Sequence, residues 1–244
     1  MKAYWNLKYA GKRVGRYTIE RLLGKGRYGL CFLARSDNGG QVVIKKYRQS
    51  SGKDHLPDCI DEAVILSRLN DERIPEFLGV LNENGFYGFV LAYKKGETVK
   101  ELLFKHHHVF FREEFYQTGL QLIDIIKYLH AHGVVHRDIR LPNVVIDQGR
   151  VCLIDFGLAR RADQPEAYAL DFSYLSDFFL YLLYSSFTGM AKRKPGMKEL
   201  PWYDELPLKR EQILFLKRLF GMEERYDHIR DIEKDFIQVF NPGQ

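Results

Sequence analysis

Cysteine is scarce in this chain. Three residues in 244, Cys31, Cys59 and Cys152, cannot all pair and show no C-x-x-C spacing. That excludes a disulfide-stapled scaffold and predicts a reduced, cytoplasmic setting. Long apolar runs are missing too. The longest candidate, around Phe178-Phe179-Leu180-Tyr181-Leu182-Leu183, falls far short of the ~18 residues of a membrane span. No apolar stretch follows the N-terminal positive charges, so no secretory signal is expected. No internal repeat or low-complexity tract is present, and 45% hydrophobic with 28% charged residues excludes wholesale disorder. Acidic residues are absent from residues 1–16, which hold Lys2, Lys8, Lys12, Arg13 and Arg16. The net charge of +5 therefore sits in this basic, aromatic arm, and the remainder carries 32 residues of each sign. A balanced body offers no groove for nucleic acid.

What is present divides by period. Tyr17–Leu23, Leu30–Ala34 and Gln41–Lys45 are β-rich runs, with Asp37-Asn38-Gly39-Gly40 as a left-handed turn between the last two. Asp61, Glu62, Ile65, Leu66 and Leu69 predict a helix. Two further strands, one ending near Val80 and one starting near Phe86, flank a hairpin at Asn82–Gly85. Beyond Gly96 the spacing turns helical: Phe115, Leu122, Ile125, Ile126 and Leu129 form one stripe, stopping near Gly133. A small hairpin brackets Asp147-Gln148-Gly149, an aromatic helix follows Leu170, and helices are expected from about Lys209 and Ile229. A sheet-rich part followed by a helical part is an α+β architecture.

Three short motifs carry chemistry. Gly24, Gly26 and Gly29 lie between two strands, a placement suited to a flap whose backbone N–H groups close over phosphates, though three glycines also make a plain tight hairpin. Lys45 ends the apolar strand Val42-Val43-Ile44-Lys45 and calls for an anionic partner, which Glu62 on the next helix can supply; a snorkelling edge lysine is the bland alternative. His136-Arg137-Asp138-Ile139-Arg140-Leu141-Pro142-Asn143 comes next, and Asp155-Phe156-Gly157 follows twelve residues after Asn143. In this order the set resembles the protein-kinase signature over about residues 16 to 240, and most closely the compact, single-domain eukaryotic-like Ser/Thr kinases of bacteria.

The resemblance implies a bilobal fold: an arm at 1–16, a β-rich small lobe with one main helix at 17–91, a hinge at 92–96 and a larger helical lobe at 97–244. It implies ATP as phosphate donor and Mg²⁺, with Mn²⁺ as a substitute, held by Asn143 and Asp155. Lys45 would hold the α/β-phosphates and Glu62 would fix Lys45. Asp138 would accept the proton of a Ser/Thr hydroxyl on a protein substrate. Arg140 stands where such kinases usually carry Lys and would neutralise the γ-phosphate. Leu91 resembles the gatekeeper, with the backbone of Ala92 and Lys94 bonding the adenine edge and Cys31, Val43 and Val145 sandwiching the ring.

The pattern also departs from the family. Only eleven residues separate Asp155 from the APE-like Glu166, against roughly 20–30 between DFG and APE in ordinary kinases. Residues 158–170 contain no Ser or Thr, only Tyr168. Arg137, which in family members pairs with a phosphate of this segment, is expected to meet Glu166 or a backbone carbonyl, and Arg225 resembles the usual partner of the APE glutamate. So short a segment keeps open a kinase for small molecules or lipids, and a nucleotide-binding scaffold without catalysis is the third reading. His106-His107-His108 reads as a solvated loop, and His130 and His132 as packing and capping at a helix end. The arm is expected to dock on the small lobe or on an acidic partner.

Overall fold

The computed structural model describes residues 2–25, 29–47, 56–83, 86–187 and 200–243. The chain forms two compact units, residues 1–95 with 156–159, and residues 96–155 with 160–244. In the first, strands β1 (Arg13–Val14), β2 (Tyr17–Lys25), β3 (Gly29–Ser36), β4 (Gln41–Tyr47), β5 (Phe77–Glu83) and β6 (Phe86–Ala92) form one sheet in the order β1-β2-β3-β4-β6-β5. All its pairings are antiparallel.

Alternation along the strands gives this sheet two different faces. Phe32, Val42, Ile44 and Val90 are buried on one face, in a core with Leu22, Leu30 and Phe86. Helix α1 (Lys2–Tyr9) lies on that core, with Trp5 and Tyr9 packed against it. The Tyr9 ring is 5.1 Å from that of Phe32 and 6.3 Å from that of Phe86. The Asn6 carboxamide accepts from the Leu22 N–H at 2.6 Å. The arm thus contributes a helix and an edge strand that the sequence pattern, starting at Tyr17, does not reveal. Cys31 pairs with Lys45 and Lys45 with Phe89, and Leu33 pairs with Val43 and Val43 with Leu91, so all of these share the opposite face. Helix α2 (Leu56–Leu66) stops earlier than the apolar spacing predicts. Its end tightens as Arg68 and Leu69 bond three residues back, yet Leu69 stays buried.

In the second unit β7 (Glu97–Thr98) and α3 (Val99–Phe104) precede the long α4 (Arg112–Ala131). Strands β8 (Val134–Val135), β9 (Val144–Asp147), β10 (Arg150–Leu153) and β11 (Arg160–Arg161) form two small sheets, β10-β9-β7 and β11-β8. The β9–β10 turn is the two residues Gln148 and Gly149, both with positive φ, as a type I′ hairpin requires. Helices α5 (Ala169–Ser185), α6 (Trp202–Glu205), α7 (Arg210–Phe220) and α8 (Ile229–Phe240) complete the unit. Phe115, Phe179, Phe215, Phe236 and Phe240 knit α4, α5, α7 and α8 through ring contacts of 5.0–6.5 Å. A side chain at Gly119 of α4 would run into the Phe236 ring, so this glycine lets α8 approach closely.

Candidate active site

On the α2-facing side of the first unit, Lys45 Nζ lies 2.6 Å from Glu62 Oε1. Glu62 is buried and the lysine largely so. The strand's period places Lys45 opposite Ile44, away from α1, and α2 brings the carboxylate to it. Cys31, Val43 and Leu91 share the lysine's face, the first two half-buried and Leu91 buried. The Ala92 N–H donates to the Glu76 carbonyl at 2.9 Å, so any contact from Ala92 to a base edge must use its carbonyl. Lys94 extends its ammonium to the Glu72 carbonyl at 2.7 Å. Gly24 has open space around it, whereas a Cβ on Gly29 would collide with the Lys46 carbonyl. Gly29 is therefore demanded by strand packing in its own right. Gly26 lies outside the described residues.

The second unit gathers Asp138, Arg140 and Asn143. Asp138 is buried, and Asn143 Nδ2 donates to its Oδ2 at 2.7 Å and to its backbone oxygen at 2.9 Å. Arg140 grips the same carboxylate through both Nε and Nη2, the latter at 2.8 Å. That hydrogen bond raises the guanidinium pKa further. More than half of the Arg140 side chain is exposed, so the fork is accessible although it is spent on Asp138 rather than held free. The Ile154 N–H donates to the Asn143 carbonyl at 2.8 Å, tying the loop to the end of β10, where Asp155 follows with φ 65°. Val145 is buried in β9, beside Gly96, where a Cβ would meet the Ile146 carbonyl.

Asn143 Nδ2 is committed to Asp138, which leaves its amide oxygen as the group able to bind a cation, and Asp155 is exposed. A neutral amide oxygen and a carboxylate are hard donors suited to a small divalent cation. Among the described residues no cluster of three or more His, Cys, Asp or Glu is arranged to hold a metal. An ion here would take its remaining ligands from water and a bound phosphate, as magnesium sites commonly do.

The residue sequence reasoning missed is Asp171. It is fully buried in the first turn of α5 and accepts three hydrogen bonds: from the N–H of His136 at 2.9 Å, from the N–H of Arg137 at 2.7 Å, and from the His130 ring at 2.9 Å. Its carboxylate thereby fixes the peptide units just before Asp138. The available signal was an acid among apolar residues at a helix start, because a buried carboxylate needs donors. His130, read as packing, is one of them. Arg137 sits at φ 65°, a left-handed conformation kept only where the surroundings impose it. Burial lowers the pKa of His136 against the pull of Asp171, Asp155 and Asp138. His106 and His108 turn to separate acids, Glu97 and Glu114. Among the described residues no ion pair joins Arg225 to Glu166.

The sequence pattern of the protein kinase domain matches residues 17–180. The chain is 37% identical over 230 residues to the probable serine/threonine-protein kinase YbdM of Bacillus subtilis (strain 168), covering 90% of this chain and 88% of that one. A probable serine/threonine-protein kinase of Dictyostelium discoideum is 30% identical over 155 residues, 62% of this chain and 31% of its own length. Cyclin-dependent kinase E-1 of Arabidopsis thaliana is 28% identical over 163 residues, 62% of this chain and 35% of its own. The chain belongs to the protein kinase domain family.

Proposed function

We propose that this protein transfers the γ-phosphoryl group of ATP to Ser or Thr hydroxyls of a protein substrate. The observation that carries the reading is Asp138, a buried carboxylate held by Asn143 and Arg140 on a loop anchored by Asp171. Phosphoryl transfer needs positioning and charge neutralisation more than covalent help. The acceptor oxygen bonds to the γ-phosphorus, the bond to the β-bridging oxygen breaks, ADP leaves, and the hydroxyl proton passes to Asp138. Arg140 releases one Asp138 oxygen as it swings its exposed fork to the γ-phosphate. Lys45, held by Glu62, binds the α/β-phosphates, and Gly24, Gly26 and Gly29 close over them. Cys31, Val43 and Leu91 supply one apolar surface for the adenine and Val145 of the second unit another, with the Ala92 carbonyl and the Lys94 backbone for its polar edge. Asn143 and Asp155 hold Mg²⁺, or Mn²⁺ in its place, which neutralises phosphate charge when bound.

The lobes assigned to this reading are 17–91 and 97–244, joined by a hinge at 92–96. No helix among the described residues is long and apolar enough to cross a membrane. The scarcity of cysteine supports a reduced, cytoplasmic setting. The Tyr9 and Asn6 contacts support an arm that docks on the small lobe rather than on an acidic partner. The test is label transfer from radiolabelled ATP by the purified protein, with generic protein acceptors and Mg²⁺, alongside Asp138→Asn. Wild type labels protein, and the variant loses on the order of 10²–10⁴ in rate. Turnover on a metabolite pool without protein labelling defeats the reading.

A further inference from the structure

The short segment from Asp155 to α5 is pinned at two places. Near its start, Arg160 and Arg161 pair with Val135 and Val134, and the Ala162 N–H donates to the Gly133 carbonyl at 2.8 Å. At its end is Tyr168, last residue of the 3-10 turn Pro165–Tyr168 that runs straight into α5. Its ring lies 4.3 Å from the His130 ring, tilted by 40°, and its hydroxyl donates to the His130 carbonyl at 3.3 Å. Tyr168, Asp171 and Phe172 follow helical spacing, and the imidazole contacts all three. The His130 side chain is 7% exposed within this clasp.

We infer that Tyr168 is a positioning residue for phosphoryl transfer: it clasps His130 against Asp171 and so holds the His136–Arg137 backbone, and Asp138 beyond it, without a phosphate on the segment. The inference rests on the kinase reading above. Residues 158–170 hold no Ser or Thr, so no phosphorylated side chain of that kind supplies charge to Arg137. The single hydroxyl in that stretch, on Tyr168, is half-buried and turned to the His130 carbonyl. Order in this segment then comes from packing: remove the ring, and His130 loses the wall that keeps it on Asp171. The buried carboxylate must then hold two peptide N–H groups alone, next to a residue in the left-handed region.

The experiment compares phosphatase-treated wild type with Y168F, Y168L and Y168A by steady-state kinetics, melting, and amide hydrogen exchange at His136 and Arg137. Phosphatase leaves wild-type kcat unchanged, and Y168F keeps it within about twofold, because the ring persists. Y168L and Y168A lose roughly tenfold in kcat while KM for ATP stays within about twofold. Exchange at the two amides rises about tenfold in Y168L. Should Y168A fail to fold, Y168L, which keeps apolar volume, decides the matter. A Y168L protein with wild-type kcat and unchanged exchange overturns the clasp, as does wild-type activity that phosphatase abolishes. Wild type that labels no acceptor sinks the kinase reading, and the exchange data still judge the clasp.

Discussion

Replacing Asp171 by Asn keeps the side-chain shape but leaves a single acceptor where three donors converge. In the wild type, Oδ1 takes the Arg137 N–H while Oδ2 takes the His136 N–H and the His130 ring. In the better of the two amide orientations, the carbonyl oxygen replaces Oδ2 and serves two donors. The amide nitrogen then faces the Arg137 N–H, donor against donor. A buried donor left unsatisfied costs about 1–3 kcal/mol. The two surviving bonds lose the charge assistance that makes carboxylate bonds about twice as strong as neutral ones, or ~1 kcal/mol each. The sum, about 3–5 kcal/mol, is a large part of the ~5–15 kcal/mol that holds a protein folded. At roughly 2–4 °C per kcal/mol for a chain of this size, Tm falls by about 6–20 °C.

Activity should fall further than stability alone explains, since the anchored peptides lead directly into Asp138. A displacement of ~1 Å at a catalytic group can cost about 10²-fold. The assay is urea unfolding at 25 °C paired with kcat measured well below the variant's melting point. His130→Ala in the same background tests the coupling, which should be ~0.5–3 kcal/mol for groups in one network. An Asp171→Asn protein within ~1 kcal/mol of wild type, with undiminished kcat, would refute the claim that this carboxylate sets the catalytic loop.

Lys45→Met should destabilise by about 3–5 kcal/mol, because Glu62 loses a cation at 2.6 Å in a largely buried pair. Adding Glu62→Leu should restore urea resistance without restoring phosphoryl transfer, which separates stability from chemistry. His136 has a lowered folded pKa, so the unfolded chain binds its proton first. Its contribution is complete above the unfolded value of about 6.5 and is lost as pH falls below it, by up to ~1.4 kcal/mol per pH unit. Urea midpoints between pH 7.5 and 5.5, with an NMR titration placing the His136 midpoint in the folded protein below that of a free imidazole, check both sign and origin. Deleting residues 1–12 removes Tyr9 from Phe32 and Asn6 from the Leu22 N–H. The expected loss is about 1.5–3 kcal/mol in urea unfolding, and a truncated protein as stable as the full chain contradicts it.

Much of the candidate site is legible in the sequence because the phosphate chemistry proposed for it restricts both residue type and spacing. Lys45 ends an apolar strand, a poor place for a cation without an anion nearby, and Glu62 is found there. Asp138 and Asn143 lie close enough in sequence for a single 3-10 turn, Leu141–Asn143, to bring the amide onto the carboxylate. Asp171 and His130 are harder to read because they meet the candidate site only through backbone N–H groups and a shared carboxylate. Nothing in their own spacing announces a partner 34 or 41 residues away. Gly29 shows the converse. Its motif suggests phosphate binding, but contact with the Lys46 carbonyl already excludes a side chain.

The basic arm carries both charge and aromatics, so its sequence allows docking on the small lobe or on an acidic partner. In the structure Trp5 and Tyr9 pack against the core of the sheet. Lys8 lies 5.6 Å from the rings of both Trp5 and Tyr9, Lys12 is at 5.6 Å from Tyr9, and Lys46 is at 5.0 Å from Phe86. Cations over ring faces are attracted by the π quadrupole, which lets a lysine-rich helix sit on an aromatic core. The crowding has a cost that falls on Lys46, whose pKa is lowered by burial and then by Lys8. Charge in the first sixteen residues is therefore coupled to the packing of the β4–β6 face, whose opposite side carries Lys45. Sequence period separates those two faces; only the structure shows that the arm belongs to one of them.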